Sequence, residues 1–500
     1  MNNNNPATGA TFVGHPLGLA TLFFTEFFER YSYYGMRALL VLFLTASAAH
    51  GGFGVDNVTA GSVYGLYTSA AYLACLPGGW LADRLLGQRK GVLYGGVLIS
   101  AGNFMLALGS PLVFYLGLVV TALGTGLLKP NVSAIVGELY HGQPGERRDA
   151  AFSIFYVGIN LGAFVAPLIS GTIGETIGYR WGFLTAGIAM LLGVAQYRMT
   201  SRLLGSAGLE PRGTSAAEQQ QSVRWLLGGL AVLAVAVGAV ATGVIDVRAA
   251  QLAQWFKWAM QGIAVVFFGA VLLFGKLDGT EKKRVLVIAV FFLCAYLFWT
   301  GFEQAGTTLN LFARDLTDRS FLGSFFAAHE HPTTWYQSVN SVFIILLSPF
   351  FAWLWITLGA RRLDPSAPLK FGLGLVLLGL GFAVLIVAAQ LIIARGGKVG
   401  PQWLLLTYFL HTCGELCLSP IGLSNVTKLA PPRFVSQMMG IWFLGAALGN
   451  LTAGEIGGRI GSEVATMPSE FLHMTLFGVG TGAAMLLLSP VFRRWMGGIR

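Results

Sequence analysis

The feature that most limits the fold is a rhythm. Apolar stretches of about twenty residues or more, the length a helix needs to cross a bilayer, recur along the chain between short polar turns rich in Gly, Pro, Arg or Lys. Hydrophobic residues make up 55% and charged residues 11%, against roughly a quarter charged in a soluble domain. Spans fall near 17 to 48, 57 to 83, 90 to 109, 112 to 137, 149 to 177, 180 to 201, 223 to 245, 251 to 275, 284 to 313, 333 to 358, 369 to 395, 401 to 427, 434 to 460 and 469 to 491. The expected fold is an all-α polytopic membrane protein of fourteen transmembrane helices: a six-helix bundle over 1–205, a linker carrying two extra helices over 206–282, and a second six-helix bundle over 283–500.

Basic turns should alternate sides if the spans are right. One side collects Arg84, Arg89, Lys90, Arg147, Arg148, Arg198, Arg202, Arg212, Arg224, Lys276, Lys282, Lys283, Arg284, Arg361, Arg362, Lys370, Lys428, Arg433, Arg493, Arg494 and Arg500, which is 21 residues. The other collects Arg180, Arg248, Arg314, Arg319, Arg395, Lys398 and Arg459, which is 7. Both termini are therefore expected in the cytoplasm. The net charge of +10 reads as topology and not as a nucleic-acid surface, because the cations sit in the turns.

Met1 to Ala10 lacks the basic start of a secretory signal and the first span is too long for one, so that span is expected to be retained. Ser201 to Ser222, with its Gly, Ser, Pro and Gln run, lacks helical periodicity and reads as a linker, and Lys276 to Arg284 as a second junction. The turn Leu358, Gly359, Arg361, Arg362 echoes the turn after the second span, which suggests two related halves. Cys75, Cys294, Cys413 and Cys417 all lie in apolar spans and offer neither a disulfide framework nor a metal pair. Gly372 to Gly381 is no phosphate loop, having no following Lys-Ser or Lys-Thr; close helix packing explains it.

Ionisable residues inside the spans carry the functional argument, since each costs at least about 2.5 kcal/mol near the bilayer centre. The first span reads EFFERYSYYGMR from Glu26 to Arg37. Glu26 lies roughly 14 Å into it, and Glu26, Glu29, Arg30, Tyr33, Tyr34 and Arg37 share an arc of roughly 140°. The plain alternative is an ion-pair knot that only locks helices, although apolar packing does that as well. Lys129 stands in the fourth span before Pro130, whose missing N–H loosens the helix. The second half offers Glu303 with Gln304, and Glu415. Acids and bases from both halves imply a shared central cavity, the alternative for Glu303 and Glu415 being an interhelical polar clamp. His411 reads as a hydrogen-bonded packing residue more than as a proton relay.

These residues resemble the proton-dependent oligopeptide transporter family of the major facilitator superfamily, from Glu26 to about Gly454. Glu26, Glu29, Arg30, Tyr33, Tyr34 and Gly35 match its ExxERFxYYG motif, with Tyr31 where Phe is usual. GGWLADRLLGQRK is similar to the superfamily's loop motif through Gly79, Asp83, Arg84, Gly87 and Arg89, and FSIFYVGINLGAF to the family's second signature through Asn160. Lys129 with Pro130 and Asn131, Trp299 with Glu303 and Gln304, Asn340, Glu415 with Ser419 and Pro420, and Trp442 extend the match.

The resemblance implies a symporter of di- and tripeptides, working as a monomer in the bacterial inner membrane with the proton gradient and no cofactor. Glu26, Glu29, Arg30 and Glu303 would carry or relay the proton. Tyr34, Arg37, Tyr67, Lys129 and Asn160 would hold the peptide's carboxylate side and backbone, Asn340 and Glu415 its amino end, with Trp299 and Trp442 lining the site. Animal members place a functional His in the second helix; none stands there here, so coupling would rest on carboxylates. Arg37 and Glu303 are expected to pair when the outer side is closed. A membrane enzyme would need a nucleophile with its base or a metal-ligand cluster, and neither is visible. A channel fits two halves with opposite charges less well than alternating access does. Other family members carry nitrate or peptide-like drugs, the remaining alternative for the substrate.

Overall fold

The computed structural model describes residues 11–211, 216–244, 248–459 and 464–499. Met1 to Ala10, Arg212 and Arg500 lie outside the described residues, as does the side chain of Pro420. A two-stranded antiparallel hairpin, Thr11–Phe12 with His15–Pro16, leads into α1 (Leu17–Thr45). There follow α2 (Asn57–Leu73), α3 (Cys75–Leu81), α4 (Gln88–Ala107), α5 (Pro111–Leu139), α6 (Gly145–Ala166), α7 (Thr172–Thr176) and α8 (Tyr179–Thr200). Then come α9 (Ala216–Ala241) and α10 (Ala249–Phe274). The second set is α11 (Gly279–Phe302), α12 (Thr308–Asp315), α13 (Trp335–Ala360), α14 (Ala367–Arg395), α15 (Gln402–Leu429), α16 (Val435–Arg459) and α17 (Met467–Trp495). Because α2 runs into α3, α6 into α7 and α11 into α12 across short breaks, these helices form the fourteen expected rods. Among the described residues, ten are long and apolar enough to cross a membrane on length and composition alone. The chain is a multi-pass membrane protein.

Three boundaries differ from expectation for identifiable reasons. α1 stops at Thr45 rather than residue 48 because the returning chain caps it: Phe53, Val55 and Gly54 donate their N–H groups to the carbonyls of Phe43 (3.3 Å), Leu44 (2.9 Å) and Ala46 (2.7 Å). α9 begins at Ala216, inside the expected linker, because its Ala, Glu and Gln residues are strong helix formers that need no apolar face. α11 begins at Gly279, within the expected junction, because Asp278 caps it, accepting from the N–H groups of Thr280 and Glu281 at 2.7 Å each.

The chain packs as two compact units. The first comprises the described residues of Met1–Met36, Ala74–Ser170 and Arg180–Asp246; the second, those of Arg37–Leu73, Gly171–Tyr179 and Val247–Arg500. The core of the first centres on Leu22, Ile99, Leu128, Ile135 and Phe155. That of the second centres on Phe291, Phe298, Phe371, Phe382 and Phe471. Lipid supplies no hydrophobic drive between helices, so close approach through small residues does the packing. In the first unit α4 meets α5 through Gly95 and Gly124, where a Cβ on either would lie 2.7 Å from the other's carbonyl oxygen. In the second, α14 meets α17 with a Cβ on Gly478 lying 2.8 Å from the Gly379 Cα, and α2 meets α16 through Gly61, Gly65, Gly454 and Gly458. Gly372, Gly379 and Gly381 thus serve packing, as expected of that run. Pro130 deprives the Gly126 carbonyl of its helical donor. Gly78 of α3 leaves room for that carbonyl, which any side chain at 78 would strike.

Candidate functional site

In the first unit the polar face of α1 gathers Glu26, Glu29 and Arg30, at most 4% exposed. The Arg30 guanidinium grips Glu29 through Nε and Nη2, the latter 2.6 Å from Oε1, and its Nε lies 3.4 Å from Glu26 Oε1. Its carbon stands 5.0 Å from the Tyr33 ring centre. Room for this cluster comes from α6, where a Cβ on Gly162 would lie 2.5 Å from the Phe27 carbonyl oxygen and 3.0 Å from Arg30 Cβ. Tyr31, where the family motif has Phe, uses its extra hydroxyl: Thr185 donates to Ser170 at 2.8 Å and Ser170 donates to Tyr31 at 3.2 Å. Tyr34 and Lys129 are half-buried. Asn160 is buried and donates to the Tyr156 carbonyl in its own helix at 3.0 Å.

The second unit holds two further clusters. Arg37 Nη2 lies 3.2 Å from Glu303 Oε2, the pair expected from the sequence, with the side chains 6% and 6% exposed. The Tyr64 hydroxyl donates to the same oxygen at 3.2 Å, and the guanidinium carbon stands 5.8 Å from the Tyr64 ring centre. Glu303 is not within a continuous helix. It opens a 3₁₀ turn, Glu303–Gly306, that separates α11 from α12, with Thr307 at φ −122° and ψ −91°. A Cβ on Gly306 would collide with the Tyr64 ring, so the turn's glycine admits the tyrosine. In the other cluster Asn340 Nδ2 donates to Glu415 at 3.1 Å and to Thr412 Oγ1 at 3.0 Å. Tyr67, one turn after Tyr64, is buried. The Trp299 Cβ lies where a Cβ on Gly449 would be 2.6 Å away, and Trp442 stands edge-on to Phe371 at 6.3 Å. His411 packs on Phe382, ring centres 4.9 Å apart, with Nε2 3.1 Å from the Leu378 carbonyl oxygen.

The family motifs leave several of these partners unassigned. Tyr64 is one. Asn310 is another, donating to the Ala38 carbonyl at 3.0 Å. Glu175 of α7 accepts from the N–H groups of Thr333 and Thr334 and from the Thr334 hydroxyl, each at 2.8 Å, and so caps the start of α13. Lys257 of α10 pairs with Glu455 of α16. The available signal for this last pair was a charge inside an apolar span, the same one that singles out Lys129.

The POT family pattern matches residues 89–460. Over 99% of its length the chain is 40% identical to "Peptide transporter YePEPT" of Yersinia enterocolitica subsp. palearctica serotype O:3 (strain YE-P4), covering 98% of it. It is 36% identical to the "Di-/tripeptide transporter" of Lactococcus lactis subsp. cremoris, each chain being covered in full. Among solved structures, a peptide transporter POT in complex with sulfate superposes with a TM-score of 0.90 at 38% identity, over 98% of this chain and 97% of that one. The fold is that of the major facilitator superfamily, and with two ion-paired clusters buried in its spans the chain belongs to the POT family.

Proposed function

We propose that the protein is a proton-driven symporter importing di- and tripeptides across the bacterial inner membrane by alternating access, as a monomer, with the proton gradient and no cofactor. The observation that carries this reading is the Glu26–Glu29–Arg30 cluster, one guanidinium shared by two buried carboxylates. A proton taken up on one carboxylate changes which of them the cation holds, so protonation and helix position become linked. The names of the relatives support a peptide substrate.

The excess of basic residues on one side supports cytoplasmic termini, which makes the Thr45 end of α1 outer. The contacts of α1, α2 and α7 with α11, α12, α13 and α16 in the second unit then lie at outer ends and act as an outer gate in its closed form: Arg37 with Glu303, Glu175 with α13, and the α2–α16 glycine seam. Tyr34, Arg37, Tyr67, Lys129 and Asn160 are assigned to the carboxylate side and backbone of the peptide, Asn340 and Glu415 to its amino end, and Trp299 and Trp442 to the lining. Residues 1–205 and 283–500 form the two rocking bundles, joined by 206–282. Uptake of labelled dialanine by the purified protein in liposomes tests the whole reading. Accumulation is expected with an inward proton gradient and only equilibration without it; equal uptake in both overturns symport.

A further inference from the structure

The buried stripe of α10 runs Ala253, Met260, Ala264, Phe268, Val271, one face of a helix. Lys257, four residues after Ala253 and three before Met260, occupies a position in that stripe, while its neighbours Trp255 and Trp258 are 59% and 68% exposed. The ammonium is therefore aimed at the protein rather than at lipid, and it meets the Glu455 carboxylate, whose side chain is 8% exposed. Glu455 Oε1 is buried without a hydrogen-bond partner among the described residues, so Lys257 supplies its neutralising charge. An apolar pair would hold two helices together as well as this one, and a buried ion pair is best attested as a device that fixes which partner goes where.

The choice of partner here has content because α10 packs against both α2 and α16. Toward α2, the Ser69 hydroxyl reaches the Met260 sulfur at 3.9 Å, a weak polar contact. Its contact with α16 is a desolvated ion pair beside Gly454, Gly457 and Gly458, the residues that bring α16 against α2 and Thr307. We propose that the Lys257–Glu455 pair makes α10 a mechanical part of α16, so that opening of the α2–α16 seam parts α2 from both. This rests on the reading of that seam as an outer gate. It gives the second of the two extra helices a positioning role: α10 backs α16 and keeps its glycine face presented to α2.

The test uses spin labels on the outer ends of α2, α10 and α16, in pairs, in a background with the four cysteines replaced by serine, comparing the wild type at neutral pH with the wild type in acid and with Glu303→Gln. The α2–α16 and α2–α10 distances should lengthen together while α10–α16 stays constant. An α10–α16 distance that lengthens while α2–α10 stays constant overturns the proposal alone. An α2–α16 distance that never changes overturns the gate reading and the proposal with it. Lys257→Met combined with Glu455→Gln removes the pair without stranding a charge. It should broaden the α10–α16 distribution and lower the maximal uptake rate about fivefold with KM unchanged. The swapped pair, Lys257→Glu with Glu455→Lys, should restore both. A neutral pair that leaves the distribution narrow and the rate intact shows that the ion pair positions nothing.

Discussion

The α14–α17 seam and the α2–α16 seam are both lined with glycine and both bring backbones into contact, but their surroundings differ. Phe371, Leu375, Phe382 and Phe471, all fully buried, back the first. The second is bordered by Glu303 with Arg37 and by Glu455 with Lys257. Glycine gives close approach in either place; the capacity to reopen is decided by the apolar contacts or charges that adjoin it. A seam backed by phenylalanine has no low-energy alternative to staying shut, because opening it would strand apolar packing. A seam edged with ion pairs has contacts whose strength can be changed by a proton or a partner.

The comparison breaks most visibly at the glycines. Gly379→Leu should cost about 3 kcal/mol or more through overpacking, and fluorescence-detected thermal melting in detergent should find little folded protein. Gly454→Leu should fold, with a melting midpoint within a few degrees of wild type, and should hold the α2–α16 seam apart. Loss of folded protein in both variants would make the two seams equivalent. Next in size, Glu26→Gln or Glu29→Gln, in neither seam, should reduce gradient-driven dialanine accumulation to background while sparing counterflow, which needs no net proton movement. Accumulation that persists in both mutants removes them from coupling.

Glu303→Gln leaves Arg37 without its charged partner at a cost of about 3 kcal/mol to the closed seam. Spin-label distances between the outer ends of α1 and α12 should then be long at every pH, whereas in the wild type they lengthen only on acidification. Distances that stay short at neutral pH and still respond to acid would exclude this pair as the gate.

The ordering of these variants reflects which parts of the molecule the sequence makes legible. Span number and the α1 motif are readable because hydropathy and intramembrane charge are strong, local signals, and the Arg37–Glu303 pairing follows from depth alone. The break at Glu303 is not readable, since apolar residues resume at Leu309, Leu311 and Phe312 on its far side and only the tyrosine lodged against Gly306 shows why the helix stops there. The start of α9 at Ala216 is obscured for the opposite reason: a polar helix in water has no apolar stripe to announce it. Lys257 and Glu455 are visible as charges but not as partners, because 198 residues separate them.

Two smaller effects bear on the same contrast. Glu415→Ala, on the α15 helix that meets α14 at Gly374 and Gly414, should weaken binding of free dipeptides about tenfold while leaving N-acetylated dipeptides unchanged and the α2–α16 seam in place. Competition assays that show equal losses for both ligands would deny it the amino-end role. In the loop before α13, Glu330 is held by Lys398 at 2.6 Å and by Arg319. The Lys398 hydrogen bond, with Arg319 adding to it, lowers its carboxyl below the usual range. A lowered carboxyl stabilises fully above its unfolded value of about 4.3 and loses that contribution as pH falls through the lower folded one. Glu330→Gln should therefore cost less than about 1 kcal/mol at neutral pH, a difference that vanishes in melts at strongly acidic pH. A difference unchanged by acid would show that the charge on Glu330 is not what ties the loop.

The break at Glu303 also has a consequence for amide hydrogen exchange. It leaves α12 as a helix of 8 residues, too short to persist without outside support. That support comes from the far half of α1, where Asn310 bonds the Ala38 carbonyl at 3.0 Å and Arg314 Nη1 donates to Thr45 Oγ1 at 2.7 Å. Protection of the α12 amides is thus borrowed from α1, whereas α11, with 24 residues, keeps its own. Deuterium uptake across residues 308–315 should rise and fall with the fraction of molecules in which α1 has withdrawn, giving a label-free gauge of gate opening in the unmodified protein.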